Sequence, residues 1–434
     1  MLKKPSRDQI FFFGGSLIFF GVIQALLSLG MLNDFWSTIF RLGAVYAMVS
    51  LGLNLIYGFN GQFSLGQFGF YAIGAYTAAD ITYRWSVEKS ALGLTVVLSV
   101  VVLTGLAILL LRRVLGKIRG LDALSAFAIY LVAVLALTYA GAYLGILLAP
   151  TFTSILVALP PAVALQIVYL LAVLLAALVA AEISFLFGLP VLTLGSDYFG
   201  IATLGFTIIV KVLLDNSDTM LGLVEMKGAR GMIGIPKVTS WFWVFLFLFL
   251  VVLVLRNLLH SSFGRAIVSV REDEIAAKTM GIDVANYKIL TFVIGSLIAG
   301  LAGGVYAHIN GFLHPNTFNF IKSFDPMIII VLGGLGSLTG SIVTSFVWIL
   351  LLEGVLRLVL PTGFETWRYV VYPLILLIMM LVRPKGLMGD YEFPFLRQVL
   401  PPMYAKTVTA SSKTANLISG QGGSPESPPS QEVA

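Results

Sequence analysis

The 434-residue chain contains no cysteine, which excludes a disulfide framework, a thiolate zinc site and a cysteine nucleophile. Charge is scarce as well. Only 11% of the residues are Asp, Glu, Lys or Arg, against about 25% in a soluble domain. Histidine occurs three times, at His260, His308 and His314, too far apart in sequence to suggest a local metal cluster. No Gly-x4-Gly-Lys-Ser/Thr loop is present, so the chain shows no means of hydrolysing ATP. No cofactor and no metal are expected. What is abundant is apolar: 58% of the residues are hydrophobic and the mean hydropathy is +0.97. This excludes a soluble enzyme and describes a protein whose solvent is mostly lipid. The net charge of +6 does not point to nucleic acid, because the cations cluster at the ends of apolar stretches, as loop charges on a membrane protein do.

A helix needs about 20 apolar residues to cross a bilayer. Charge-free runs at Phe11–Asn33, Leu42–Ala79, Ala91–Leu111, Ala123–Ala181, Tyr198–Leu214, Trp241–Leu255, Ile289–Ala307, Pro326–Leu352 and Tyr369–Val382 supply candidates. Ala123–Ala181 is long enough for two crossings, with Pro150, Pro160 and Pro161 marking the turn. Lys and Arg set the orientation. Lys3, Lys4 and Arg7 place the N-terminus in the cytoplasm, Arg383, Lys385 and Arg397 the C-terminus. Arg112, Arg113, Lys117 and Arg119 mark one inside loop, and Arg256 to Lys288 another. A single crossing by Pro326–Leu352 would break this alternation. Its glycine-rich centre therefore predicts a broken or re-entrant hairpin, whose irregular backbone must be buried in protein or line a cavity. The expected fold is all-α: a polytopic membrane helix bundle of about ten crossings plus one broken hairpin. Residues 1–9 form a cytoplasmic N-terminus, 10–388 the membrane domain, and 389–434 a cytoplasmic tail, largely disordered because it is rich in Ser, Gly, Pro and Gln. The first apolar run reads as an uncleaved helix, being longer than the apolar core of a signal peptide and lacking an Ala-x-Ala site.

Polar groups inside a span must find partners or face a cavity, and glycines allow close approach or a break. Residues 54–74 hold Asn54, Gly58, Gly61, Gln62, Ser64 and Gln67 in one segment, and Gly333, Gly334, Gly336 and Ser337 form a second. Paired glycine-interrupted segments point to a transporter's binding region, so these ten residues are candidates for a substrate path; helix packing alone is the alternative. Gly295, Ala299 and Gly303, with Ser296, Gly300 and Gly304, form two small-residue stripes for packing against a neighbouring helix, in this chain or in another subunit. Glu182 and Asp197 are expected near span ends.

The inside loop is the most informative stretch. Ser269 followed by Glu272 has the form of a capping box, and Gly281 suits the position past a helix end, which predicts one helix over Val270–Met280. It carries Arg271, Glu272, Asp273 and Glu274, with small surfaces at Ala276, Ala277 and Gly281. Such a helix suits a partner's groove, or rests on lipid headgroups.

Glu274-x-Ala276-Ala277-x3-Gly281 resembles the EAA motif of ABC-importer permeases. The segments Gly52–Gln67, Asp197–Gly205, Val331–Ser337 and Arg383–Leu387 resemble the LivM-type permease of branched-chain amino acid ABC transporters, in family order. The resemblance implies that Arg271, Glu272, Asp273, Glu274, Ala276, Ala277 and Gly281, in the cytoplasmic loop 261–285, belong to a coupling helix that docks on an ATPase. It implies a sister permease of the LivH type, two ABC ATPase subunits, a periplasmic solute-binding protein and a bacterial inner-membrane location. Branched-chain or other neutral amino acids are the expected cargo, with urea or short amides as the alternative. Two departures stand out: Leu194-Gly195-Ser196 where the family carries a basic residue, and residues 113–165, which look like an insertion. A stand-alone carrier would explain the glycine breaks but not the charged loop, and a scaffold would explain the composition but not the two broken polar segments.

Overall fold

The computed structural model describes residues 33–115, 123–192, 196–220 and 222–356, with isolated positions on either side, including several between 374 and 396. The expected spans Phe11–Asn33 and Tyr369–Val382 and the tail 397–434 lie wholly or largely outside the described residues. Twelve α-helices occur among the described residues, and eight candidate segments are long and apolar enough to cross a membrane. The chain is a polytopic helical membrane protein.

The 38-residue run Leu42–Ala79 divides into α1 (Asp34–Asn54), a π-turn (Leu55–Phe59) and α2 (Gln67–Glu88). Next come α3 (Leu92–Leu115), α4 (Ala123–Val157), α5 (Pro161–Val191), α6 (Ser196–Asp215) and α7 (Trp241–His260). Two loop helices follow, α8 (Ser262–Glu272) and α9 (Glu274–Thr279). Then α10 (Val284–Asn310), α11 (Phe324–Gly333) and α12 (Leu338–Ile349) complete the described bundle. Pro150 does not mark the turn between α4 and α5; it lies inside α4, and the turn falls at 158–160. Membrane helices tolerate such a proline because neighbouring groups re-satisfy the freed backbone. Glu182 is not near a span end in packing terms. It accepts a hydrogen bond from Thr104 at 2.7 Å, and Thr104 sits in the middle of α3.

α10 is the axis of the bundle, and its two small-residue stripes explain why. A Cβ on Gly295 would stand 2.6 Å from the Gly52 carbonyl of α1, and one on Gly303 would collide with the Tyr71 carbonyl of α2. On the other stripe, Gly300 lies against Ala176 and Ala180 of α5, and Gly304 against Val173. The stripes are therefore consumed within this chain. Around this core α1 has 78% of its most apolar window buried, whereas α4 has 11%. α4 touches the bundle chiefly through α3, where Gly141 and Gly145 approach Val100 and Val96. Two loops meet at the end of the bundle where α2 finishes: Met232–Ile233 (β1) pairs antiparallel with Phe312–Leu313 (β2).

Gly303→Ala should lower the melting temperature of the purified protein, since overpacking a tight contact costs about 1–3 kcal/mol. Gly205→Ala, with nothing within 4 Å of the added Cβ, should leave it unchanged or higher. Equal melting of the two variants would contradict the packing role of the stripe.

Candidate functional site

The two glycine-interrupted segments meet at one side chain, Asn54, which reaches across 283 residues of sequence to Ser337. The Asn54 Nδ2 donates to the Ser337 carbonyl at 2.8 Å and to the Ser341 hydroxyl at 2.9 Å. Its Oδ1 accepts from the Gly336 backbone N–H at 2.9 Å. Directly after Asn54 the helix loosens into the π-turn, a form found mostly as short interruptions and frequently at functional sites. Close approach explains the glycines: a Cβ on Gly58 would stand 2.6 Å from the Gly336 nitrogen, and one on Gly333 2.6 Å from the Gly340 carbonyl. Gly334 and Gly336 adopt φ of 110° and 81°, which glycine alone adopts freely. Ser337 caps α12, its hydroxyl accepting from the Gly340 N–H at 2.8 Å.

A third segment closes on the same place. The Leu387 N–H donates to the Leu332 carbonyl at 2.6 Å, and Gly386 packs against Gly334. The Glu392 carboxylate accepts from the N–H groups of Leu338 at 2.6 Å and Thr339 at 3.2 Å, satisfying orphan donors at the start of α12. Sequence reasoning missed Glu392, because nothing local marks a carboxylate 54 residues away as the cap of this helix.

The path candidates separate into three groups. Asn54, Gly58, Gly333, Gly334, Gly336 and Ser337 build the junction. Ser64 turns its hydroxyl to the Gly66 N–H at 3.3 Å, and Gly61, at φ 78°, lies against Arg271. Gln62 and Gln67 are buried, and neither amide atom of either meets a hydrogen-bond partner among the described residues; Asn60, directly after the π-turn, behaves the same way. A buried unpaired polar group costs about 1–3 kcal/mol, so three such amides are free to accept and donate to a polar group brought against them.

The loop differs from expectation. In place of one helix over Val270–Met280 there are two, α8 and α9, broken at an extended Asp273. Ser269 does not cap; it donates to the Ala266 carbonyl inside α8, whose start is capped by Ser261. The reason is burial: Ile267 and Val270 pack α8 against its neighbours, drawing the helix through Ser269. Asp273 then starts α9, accepting from the N–H groups of Ile275 at 2.8 Å and Ala276 at 2.9 Å. Glu272 pairs with Arg271, and Glu274 with Lys288. Gly281 ends the motif at φ 85°, with nothing near it. The charge block is thus satisfied within the chain. Ala277 is buried, while Ala276 is exposed beside Ile275 and Met280, which are 79% and 82% exposed. These two apolar side chains were overlooked because the charges around them dominate the sequence.

Arg271 joins the loop to the junction. Its Nη1 donates to the Gly58 carbonyl at 2.7 Å, and a Cβ on Gly336 would stand 3.2 Å from the same nitrogen. One guanidinium therefore touches both breaks.

Comparison with known proteins agrees with this architecture. Residues 113–380 match the family described as the branched-chain amino acid transport system / permease component. The high-affinity branched-chain amino acid transport system permease protein LivM of Salmonella typhimurium is 31% identical over 248 residues, 49% of this chain and 56% of that protein. The LivM protein of Escherichia coli is 27% identical over 378 residues, 79% of this chain and 68% of that protein. The LivH permease protein of Salmonella typhimurium is 31% identical over 134 residues, 31% of this chain and 42% of that protein. The match thus spans just over half the length of the first of these relatives. No solved structure matches the chain. With more than half of its length under the family match, and with the helical architecture such a protein needs, this chain belongs to the family of branched-chain amino acid transport permease components.

Proposed function

We propose that the chain is a transmembrane permease subunit of an ATP-driven importer for branched-chain or other neutral amino acids delivered by a periplasmic binding protein. It works in the bacterial inner membrane with both termini in the cytoplasm, beside a LivH-type sister permease and two ATPase subunits that supply the hydrolysis. The observation that carries this reading is the bond from Arg271 to the Gly58 carbonyl. A rigid loop that touches both helix breaks transmits a displacement of α9 to the segment holding the unpartnered amides of Asn60, Gln62 and Gln67. Ile275 and Met280 supply the apolar anchors for an ATPase groove. Alternating access then amounts to a rearrangement around the Asn54 junction. The resemblance to LivM and LivH proteins supports the cargo and the sister subunit.

Two variants separate docking from transmission. Glu274→Arg sets a second cation beside Lys288 and should leave the protein in the membrane, weaken ATPase co-purification and abolish ATP-dependent uptake; normal uptake would sink the coupling role. Arg271→Ala should keep ATPase co-purification but reduce uptake about tenfold, as expected from losing a charged hydrogen bond of about 1.5 kcal/mol. Loss of co-purification in Arg271→Ala would instead place Arg271 in the docking surface.

A further inference from the structure

Away from the junction, α2 and α10 carry an aromatic cluster that the coupling reading does not use. The rings of Tyr71 and Tyr306 lie 5.4 Å apart, and Phe318 stands 5.4 Å from Tyr71, 5.9 Å from Tyr76 and 6.2 Å from Tyr306. Phe68 adds a fifth ring, 5.2 Å from Tyr71. Tyr71, Tyr76 and Phe318 are 1%, 2% and 1% exposed. The hydroxyls of Tyr71 and Tyr76 nevertheless meet no hydrogen-bond partner among the described residues. Two phenols buried without partners are costly in a helix core, where a phenylalanine would pack as well.

Phe318 is the one ring of the five that does not come from a long helix. It ends the short turn Pro315–Phe318, in the loop that follows α10. Gln67 and Tyr71, four residues apart, share a face of α2, so the unpartnered amide of the break and the unpartnered phenol of the cluster lie along one line.

We propose that this cluster is a solute-binding station, plugged in this structure by the Phe318 ring, and that its ligand is an aliphatic amino-acid zwitterion. The rings give an apolar wall for a branched side chain and π-faces for an ammonium group, and the two phenols donate to a carboxylate. Entry of the solute displaces Phe318 and supplies the partners that Tyr71 and Tyr76 lack. The assignment rests on the amino-acid reading of the chain.

The test is equilibrium binding of radiolabelled L-leucine to the purified full-length chain, with urea as the control solute and melting of each variant as the check on folding. Tyr71→Phe and Tyr76→Phe remove only a hydroxyl. Each should melt at or above the wild-type temperature, since an unpartnered buried hydroxyl is removed, and raise the Kd for L-leucine about threefold to tenfold, the value of one hydrogen bond. Phe318→Leu, a weaker plug, should lower the Kd. Absence of saturable binding by the wild type, wild-type affinity in both tyrosine variants, or binding of urea in place of leucine would overturn the station. Leucine uptake by cells carrying the complete system distinguishes the two failures. Uptake that is unchanged by both tyrosine substitutions overturns the station alone, and absence of leucine uptake by the wild type overturns the amino-acid reading with it.

Discussion

A bilayer core supplies no hydrogen bonds, so a chain that interrupts its helices there must satisfy the freed backbone itself. Asn54 is the group on which that solution depends. One carboxamide makes three bonds, two to the segment after the second break and one from its backbone N–H. The glycines around it are spaced by this requirement: each gives up a side chain so that another backbone can reach the junction. Glu392 completes the arrangement by taking the donors at the start of α12 that no helix can satisfy internally.

The stability of the rest follows from α10. Its two stripes of small residues let α1, α2 and α5 approach at backbone distance, where dispersion contacts replace the hydrophobic drive that lipid removes. The bundle is therefore most closely packed at its axis, while α4 lies largely exposed at the periphery.

Arg271 ties the loop to the first break. Its partner Glu272 holds part of the guanidinium at the surface, while Nη1 reaches the Gly58 carbonyl. The surrounding acids are occupied: Asp273 caps α9 and Glu274 pairs with Lys288. With these charges paired inside the chain, Ile275 and Met280 are left as large apolar groups exposed on and just after α9.

Much of this was legible in the sequence. Composition determined that the solvent is lipid, and the length of the apolar runs determined helices, because both depend only on which residues are neighbours along the chain. The glycine-rich segments announced two breaks, and small residues at every fourth position announced close packing. Helix boundaries in the loop were less legible: Ser269 and Glu272 form a capping pattern, but burial of Ile267 and Val270 outweighs a cap worth about 1 kcal/mol. What only the tertiary structure decided is which segments meet. The bond from Asn54 to Ser337 spans 283 residues, that from Arg271 to Gly58 spans 213, and the clustering of Tyr71, Tyr76 and Phe318 draws a loop onto a distant helix. Such pairings leave no periodicity, since a hydrogen bond or ring contact constrains positions in space and leaves their order along the chain free.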